Sequence, residues 1–130
     1  MPQRLAAIAT RALARTSHEQ AFHFANGTVS YSLAEFATHL RTVDAGTVQY
    51  HRGHFHYWVD GVLGDKTLAT RLRMLGERPD LAGETLREAF ANAVDTRLET
   101  LERETGALKT HRSETHRGKG PRNVPVRRRK

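Results

Sequence analysis

Four side chains between positions 51 and 60 are the best able in this chain to do chemistry: His51, His54, His56 and Asp60. Imidazole nitrogens and carboxylate oxygens bind zinc, and residues four apart, such as His56 and Asp60, share one face of a helix. A catalytic zinc site needs three such ligands with an open position, and the chain has no HExxH motif. A His/Asp metal enzyme built on His51, His56 and Asp60 is therefore only a minor alternative. The favoured interpretation is a histidine-rich turn that flanks a buried Trp58.

The other candidates for catalysis have simpler structural explanations. His51 is interpreted as a residue at the edge of the core whose ring nitrogen caps a backbone group, with a binding or proton-transfer role as the alternative. Asp65 directly precedes a helical pattern and is interpreted as its N-cap. Ser113 has no obvious base nearby, and Gly118–Gly120 lacks the strand and helix of a phosphate-binding loop. The sequence thus predicts a non-enzymatic protein with no catalytic residue, no metal and no cofactor.

The chain contains no cysteine. Disulfides, cysteine-based zinc sites and cysteine nucleophiles are excluded, and a cytoplasmic location is the simpler expectation. No apolar run approaches the roughly 18–20 residues that a membrane-spanning helix needs.

The positive charge of the chain is concentrated at one end. Residues 107–130 contain nine Lys/Arg and one acidic residue, a net charge of +8, whereas residues 1–106 contain twelve Lys/Arg and thirteen Asp/Glu, a net charge of −1. Glycines and prolines interrupt the basic segment, so we predict a disordered cationic tail over 107–130. Eight of its basic residues are predicted to bind nucleic acid by neutralising phosphates: Arg112, Arg117, Lys119, Arg122, Arg127, Arg128, Arg129 and Lys130.

This distribution of charge predicts a class of partner rather than an activity. A basic tail without a base-reading element predicts nonspecific binding of RNA or DNA. The protein would be ribosome- or nucleoid-associated, with a folded body that docks on a protein or ribonucleoprotein. The alternative is a protein-interaction module whose tail binds an acidic protein surface. An anionic membrane surface, or a tail that only solubilises the chain, also remains open.

A β-hairpin is predicted over residues 21–31. Phe22 and Phe24 on one arm alternate with smaller or polar residues, and the other arm, residues 29–31, does the same. Asn26-Gly27 between the arms suits a two-residue type I′ turn, because both residue types tolerate positive φ. Two strands are only marginally stable alone, so the hairpin must pack on helices.

Capping residues and apolar spacing predict the helices. Ser32 with Glu35 forms a capping box, Asp44 is a further N-cap, Gly64 suits a helix C-terminus, and Gly106 is predicted to end the last helix. The inward stripes are Leu33, Phe36, Ala37 and Leu40; Phe55, Trp58, Val59, Val62 and Leu63; Leu68, Leu72 and Leu75; and Leu86, Phe90, Ala93, Val94, Arg97 and Leu101. The predicted fold class is mainly α (α+β), with a short N-terminal hairpin packed on three to four helices.

We divide the chain into an N-terminal amphipathic segment (1–17), a small helical domain with the hairpin (18–106) and the cationic tail (107–130). The first segment has three arginines, no acidic residue, and apolar residues at helical spacing. This pattern is typical of a short helix docked on its own domain or on a partner, and also of a mitochondrial transit peptide. Both interpretations stay open at this point.

Several segments in the same order resemble the DUF5752 family of small prokaryotic domains. They fall within about residues 21–75 and are Phe22–Val29, Ser32–Glu35, Val48–His51 and Phe55–Asp65. The positions that match the family are His51, Phe55, Trp58, Gly64 and Asp65. Members of the family have a longer, Asn-rich linker between the positions that match His51 and Phe55, with an Asn-Asp directly before that Phe. Both features are missing here, so no polar role of those residues carries over. The resemblance implies architecture only, because the family has no assigned activity.

Overall fold

The computed structural model describes the backbone of residues 2–112 and the side chains of residues 5–106. Over these residues the chain is mainly helical with a short antiparallel hairpin, which confirms the predicted fold class. The elements in chain order are α1 (Pro2–Ala12), β1 (Phe22–His23), β2 (Val29–Ser30), α2 (Leu33–Thr42), α3 (Ala45–Tyr50), α4 (Phe55–Trp58), a π-helix (Val59–Leu63), α5 (Lys66–Gly76) and α6 (Gly83–Arg112). None of the described helices has the length and apolar character needed to cross a membrane.

Helix α1 is docked on its own domain, one of the two interpretations left open for segment 1–17. It packs against α6 and the π-helix, and its small residues Ala9 and Ala12 are fully buried. After α1, the Thr16 N–H donates to the Tyr31 carbonyl at 2.7 Å, which ties the connection to the end of the hairpin. Residues 5–17 are therefore in contact with the domain that follows them.

The hairpin packs on helix α2, as its marginal stability alone requires. Strands β1 and β2 pair antiparallel, with Phe22 opposite Ser30. Phe22 and Phe24 are buried, and their rings lie 5.6 and 6.0 Å from the ring of Phe36 on α2, measured between centroids. The two strands thus contribute aromatic side chains to a core that is otherwise helical.

The loop of the hairpin differs from the predicted two-residue type I′ turn. The Gly27 N–H donates to the Phe24 carbonyl at 2.9 Å, and the Phe24 N–H donates to the Thr28 carbonyl at 2.8 Å. This pattern leaves a three-residue loop in which Gly27, with φ of 95°, is the glycine of a bulge that follows the turn. Asn26 Oδ1 accepts the Thr28 N–H at 3.0 Å, so the asparagine fixes the loop through its side chain.

Helices α2 and α3 begin at the predicted N-caps. Ser32 Oγ accepts the Glu35 N–H at 3.1 Å, and Asp44 Oδ2 accepts the Thr47 N–H at 2.9 Å. The reciprocal half of the predicted capping box differs, because Glu35 Oε1 accepts the N–H of Tyr31, one residue before Ser32, at 2.8 Å. The buried side chains of α2 are the four that were predicted: Leu33, Phe36, Ala37 and Leu40.

The stretch predicted as one amphipathic helix changes its hydrogen-bond pattern at Val59. Residues Phe55–Trp58 are α-helical, and Val59–Leu63 form a π-helical turn. The turn ends at Gly64, whose φ of 75° lies in the left-handed region, as expected for a glycine at a helix C-terminus. Four of the predicted inward side chains are buried and Val62 is half-buried; the four are Phe55, Trp58, Val59 and Leu63.

Helix α6 is the central element and contacts α1, α2, α3 and α5. Its buried side chains are Leu86, Phe90, Ala91, Val94 and Leu101. Gly106 does not end the helix as predicted, and α6 continues to Arg112, because one helical glycine costs only about 1 kcal/mol relative to alanine. Residues 107–112, assigned above to a disordered tail, are thus helical, and 113–130 lie outside the described residues.

Candidate functional site

His51 joins the hairpin loop to the turn between α3 and α4. Its Nε2 accepts the Ala25 N–H at 2.8 Å, and its Nδ1 lies 2.9 Å from Nδ1 of His54. Because a backbone N–H only donates, Nε2 carries no hydrogen, and the neutral ring holds its proton on Nδ1. That Nδ1–H then donates to His54. The interpretation of His51 as a core-edge residue that caps a backbone group is confirmed.

The surroundings of His51 favour its neutral form. The ring lies among Phe22, Phe24 and Phe55, with centroid separations of 5.2, 5.8 and 5.9 Å, and only 7% of the residue is exposed. Burial, together with the nearby His54, lowers the pKa of His51 below its ordinary value. A neutral His51 therefore keeps the hairpin loop attached to the helices at neutral pH.

His56 and Asp60 do not join His51 in a metal site. Asp60 forms an ion pair with Lys66 Nζ at 2.8 Å, and both ring nitrogens of His51 are already hydrogen-bonded. His56 lies against the ring of Tyr57, with centroids 4.1 Å apart. Among residues 5–106, no group of three or more His, Cys, Asp or Glu side chains is arranged to hold a metal ion. His51 and Asp60 thus have partners within the fold, whereas Nδ1 of His56 is buried with no hydrogen-bond partner among the described residues.

Asp65 is a fully buried carboxylate that holds the start of α5. Its Oδ1 accepts the Leu68 N–H at 3.2 Å, which confirms the predicted N-cap. Arg97 on α6 donates to both carboxylate oxygens, from Nε at 2.7 Å and from Nη2 at 2.9 Å. Such a two-point contact fixes the relative position of the two groups. The Asp65–Arg97 ion pair thus links α6 to the beginning of α5.

The folded body uses most of its basic side chains internally. Seven ion pairs join Lys or Arg to Asp or Glu within residues 5–106. Arg11 and Arg52 instead donate to backbone carbonyls, those of residues 61 and 62 and those of residues 76 and 78. The described surface of the body therefore offers few uncompensated cations to a polyanion.

The residues predicted to bind nucleic acid lie at and beyond the end of α6. Arg112 is the last helical residue and its side chain is not described; the other seven, from Arg117 to Lys130, lie outside the described residues. Leu101 is the last buried side chain of α6 within residues 5–106. The helical backbone continues for eleven residues after it, which corresponds to about 16 Å. Residues 107–112, the first part of the basic segment, are thus the last residues of helix α6.

The aromatic side chains divide into a buried group, which includes Trp58 as predicted, and an exposed group. Trp58 is buried, and its indole Nε1–H donates to the Gln20 carbonyl at 2.7 Å. Tyr50 and Tyr57 are 66% and 71% exposed. Trp58 therefore cannot stack on a nucleic-acid base, whereas the two tyrosines are accessible to a partner.

The sequence did not predict a cleft between α5 and α6. Ala93 and Arg97 were expected to point into the core, but both are only half-buried and line this cleft with Leu68 and Arg71. The sequence feature that could have indicated this cleft is the pair Ala89 and Ala93. These two residues are one helical turn apart, and their small side chains leave space beside α5.

Comparison with known proteins assigns neither a family nor an activity. No protein-family model, no curated protein and no solved structure matches the chain. The resemblance of residues 21–75 to the DUF5752 family stays a prediction.

Proposed function

We propose that this chain is a non-enzymatic accessory protein that binds RNA or DNA nonspecifically through its basic C-terminal segment. The phosphate-binding residues would be Arg112, Arg117, Lys119, Arg122, Arg127, Arg128, Arg129 and Lys130. The folded body would dock on a protein or ribonucleoprotein, in a cytoplasmic, ribosome- or nucleoid-associated setting.

The observation that carries this proposal is the separation of charge between body and tail. Residues 1–106 have a net charge of −1 and residues 107–130 a net charge of +8. Within the body most of the basic side chains already contact acids or carbonyls, as described above. A polyanion would therefore be attracted to the end of the chain, where the charges of the tail are largely uncompensated in the sequence.

Helix α6 supports the proposal by its length. Its backbone continues for eleven residues after Leu101 and reaches Arg112, the first of the proposed phosphate-binding residues, so a continuous helix joins the body to the basic segment. Binding through phosphates needs no defined conformation of that segment, because the attraction comes from the release of counterions. No base-reading element accompanies the charges, so sequence specificity is not proposed.

The test measures the affinity of the full chain for a labelled single-stranded RNA and a labelled duplex DNA by fluorescence anisotropy at several salt concentrations. With six to eight phosphate contacts, affinity should fall by about 10³ or more between 50 and 200 mM salt. A tail variant with Arg127, Arg128, Arg129 and Lys130 changed to Gln should bind duplex DNA more weakly. The slope of log affinity against log salt should become shallower by roughly 3 to 4.

The matched control removes four positive charges from the body instead. Lys66, Arg71, Arg73 and Arg103 are exposed side chains, and changing all four to Gln alters the net charge by the same amount. The proposal predicts that this variant keeps most of the affinity and the salt slope. Equal losses in the two variants would mean that net charge alone matters, and no binding by the full chain would reject the proposal.

A second candidate function is that of a protein-interaction module whose tail binds an acidic protein surface. The observation in its favour is the exposure of Tyr50 and Tyr57, since exposed tyrosines are common in protein interfaces. This candidate predicts no retention on RNA or DNA. Changing both tyrosines to Ser should then weaken capture of a protein partner, and the four-residue tail variant should weaken it further.

A further inference from the structure

A cleft of about 540 Å³ lies between α5 and α6. The two helices run antiparallel along it. Asp65 at the start of α5 contacts Arg97, and Gly76 at its end lies beside the Phe90 ring, close to where α6 begins. The volume is within the range of small-molecule pockets, about 300–1,000 Å³.

The two ends of the cleft differ in polarity. Where α5 begins, the lining includes Thr67, Thr96 and Arg97. Where α5 ends, it includes Leu75, Leu81 and Ala89, together with Asn92 and Arg78, whose charge is paired with Asp80. Thr67 and Leu75 are the first and last residues of α5 in the lining, which corresponds to about 12 Å of helix. A ligand that matches this lining has one polar end and one apolar end.

The polar part of the cleft carries one positive charge that none of the described residues neutralises. Arg71 lines the cleft, and its guanidinium makes no hydrogen bond or ion pair with any of residues 5–106. It lies one turn after Leu68 on α5. Arg97 also lines the cleft, and it uses only Nε and Nη2 to bind Asp65, which leaves the Nη1 edge of its guanidinium available. Together they offer donors for one anionic group.

We propose that the cleft binds a small anionic amphiphile, of the class of medium-chain carboxylic acids. The carboxylate would contact Arg71 and the free edge of Arg97, and the apolar chain would lie over Leu75, Leu81 and Ala89. The charge of Arg97 is already compensated by Asp65, so the site has one net positive charge and suits a ligand with a single negative charge.

Other occupants fit this charge less well. An acidic helix from a partner protein, or a nucleic-acid strand, would bring several negative charges to a site with one uncompensated cation. The basic segment of this chain would bring positive charge to Arg71 and Arg97. A carboxylic acid with an apolar chain matches both the charge and the apolar end.

The test titrates the isotope-labelled full chain with decanoate, below its micelle concentration, and follows backbone amide shifts by NMR. Saturable shifts are expected at residues 67–78 and 89–100. Arg71→Gln should weaken binding by about tenfold or more, the effect of one lost charge-assisted hydrogen bond. Arg73 lies on the same helix outside the cleft and pairs with Glu77. Arg73→Gln should therefore leave the affinity for decanoate unchanged.

Two further measurements separate this site from nonspecific attraction to the basic tail. Decanol, which lacks the charge, should bind the wild-type protein about as weakly as decanoate binds Arg71→Gln. Ala93→Leu should fill the cleft and abolish the shifts at both helices. Shifts confined to residues 107–130, equal affinities for the Arg71 and Arg73 variants, or tight binding by Ala93→Leu would each overturn the proposal.

Discussion

His51 and His54 are joined through their Nδ1 atoms, 2.9 Å apart, so that one hydrogen lies between two imidazole rings. The backbone amide of Ala25 decides which ring supplies that hydrogen. Because His51 accepts the amide hydrogen at Nε2, its own proton must be on Nδ1, and His54 must accept it. A proton added to either ring removes an acceptor from this chain of bonds.

We therefore expect the free energy of unfolding to decrease as the pH falls, over a pH range determined by His51. Its pKa is lowered by burial and by His54, so the unfolded state takes up a proton at a higher pH than the folded state does. The free energy of unfolding should be highest above about pH 6.5, and it should fall as the pH drops from there toward the lowered pKa. Urea unfolding at about pH 7.5, 6.5 and 5.5, followed by the fluorescence of Trp58, measures this loss.

His51→Gln is the informative variant, since its amide oxygen can accept the Ala25 N–H without titrating. It should lose less stability than wild type between these pH values. His23→Gln removes a different histidine, which contacts the His18 carbonyl, and should retain the wild-type pH dependence. An equally steep loss in the His51 variant would show that this residue does not determine the pH range.

Arg97→Met should destabilise the protein by about 3–5 kcal/mol, because it leaves the buried carboxylate of Asp65 without its partner. The double variant Asp65→Asn, Arg97→Met should cost less than Arg97→Met alone, since the uncompensated charge is gone. Equilibrium urea unfolding measures both free energies. Arg73→Met breaks an exposed pair with Glu77 and should cost only about 0–1 kcal/mol.

The sequence could predict the features that depend on neighbours along the chain. Ser32, Asp44 and Asp65 each precede a run of helical spacing, and each caps the helix that follows. Gly64 could be placed at a helix end, because left-handed φ is easy only for glycine. The buried stripe of α2 follows from its apolar spacing, which reports one helix face directly.

The features that depend on distant residues could not be predicted. Arg97 is 32 positions from Asp65, and only the packing of α6 on α5 brings them together. The contact between His51 and the Ala25 amide likewise depends on where the hairpin loop lies. In the candidate site, His51 was placed correctly at the core edge. The space beside Arg71 was missed, because a cleft is a property of two packed helices rather than of one pattern.

Gly76→Ala should destabilise the protein by about 1–3 kcal/mol through overpacking. A Cβ at this position would lie only 2.2 Å from the Arg52 carbonyl oxygen, and Arg52 is held by hydrogen bonds to the carbonyls of Gly76 and Arg78. Gly106→Ala is the matched control, because Gly106 lies in α6 and no described atom lies within 4 Å of the added methyl. It should stabilise the protein by about 0.5–1 kcal/mol. Thermal and urea unfolding measure both, and stabilisation by both substitutions would contradict the packing of α5 against Arg52.

Glu35→Gln should lower stability at neutral pH but not in acid. The Glu35 carboxylate accepts the Tyr31 N–H and pairs with Arg15, and these contacts lower its pKa from the ordinary value of 4.5. A lowered carboxylate pKa contributes stability that is complete above the unfolded value and is lost as the pH falls through the folded one. The difference in unfolding free energy between wild type and Glu35→Gln should thus shrink below about pH 4.5, well below the pH range in which His51 acts.

The control is Glu99→Gln, which replaces an exposed acid on α6 and should differ little from wild type in stability at either pH. A Glu35→Gln difference that stayed constant down to about pH 3 would show that the carboxylate charge is not what holds the start of α2 to Tyr31 and Arg15.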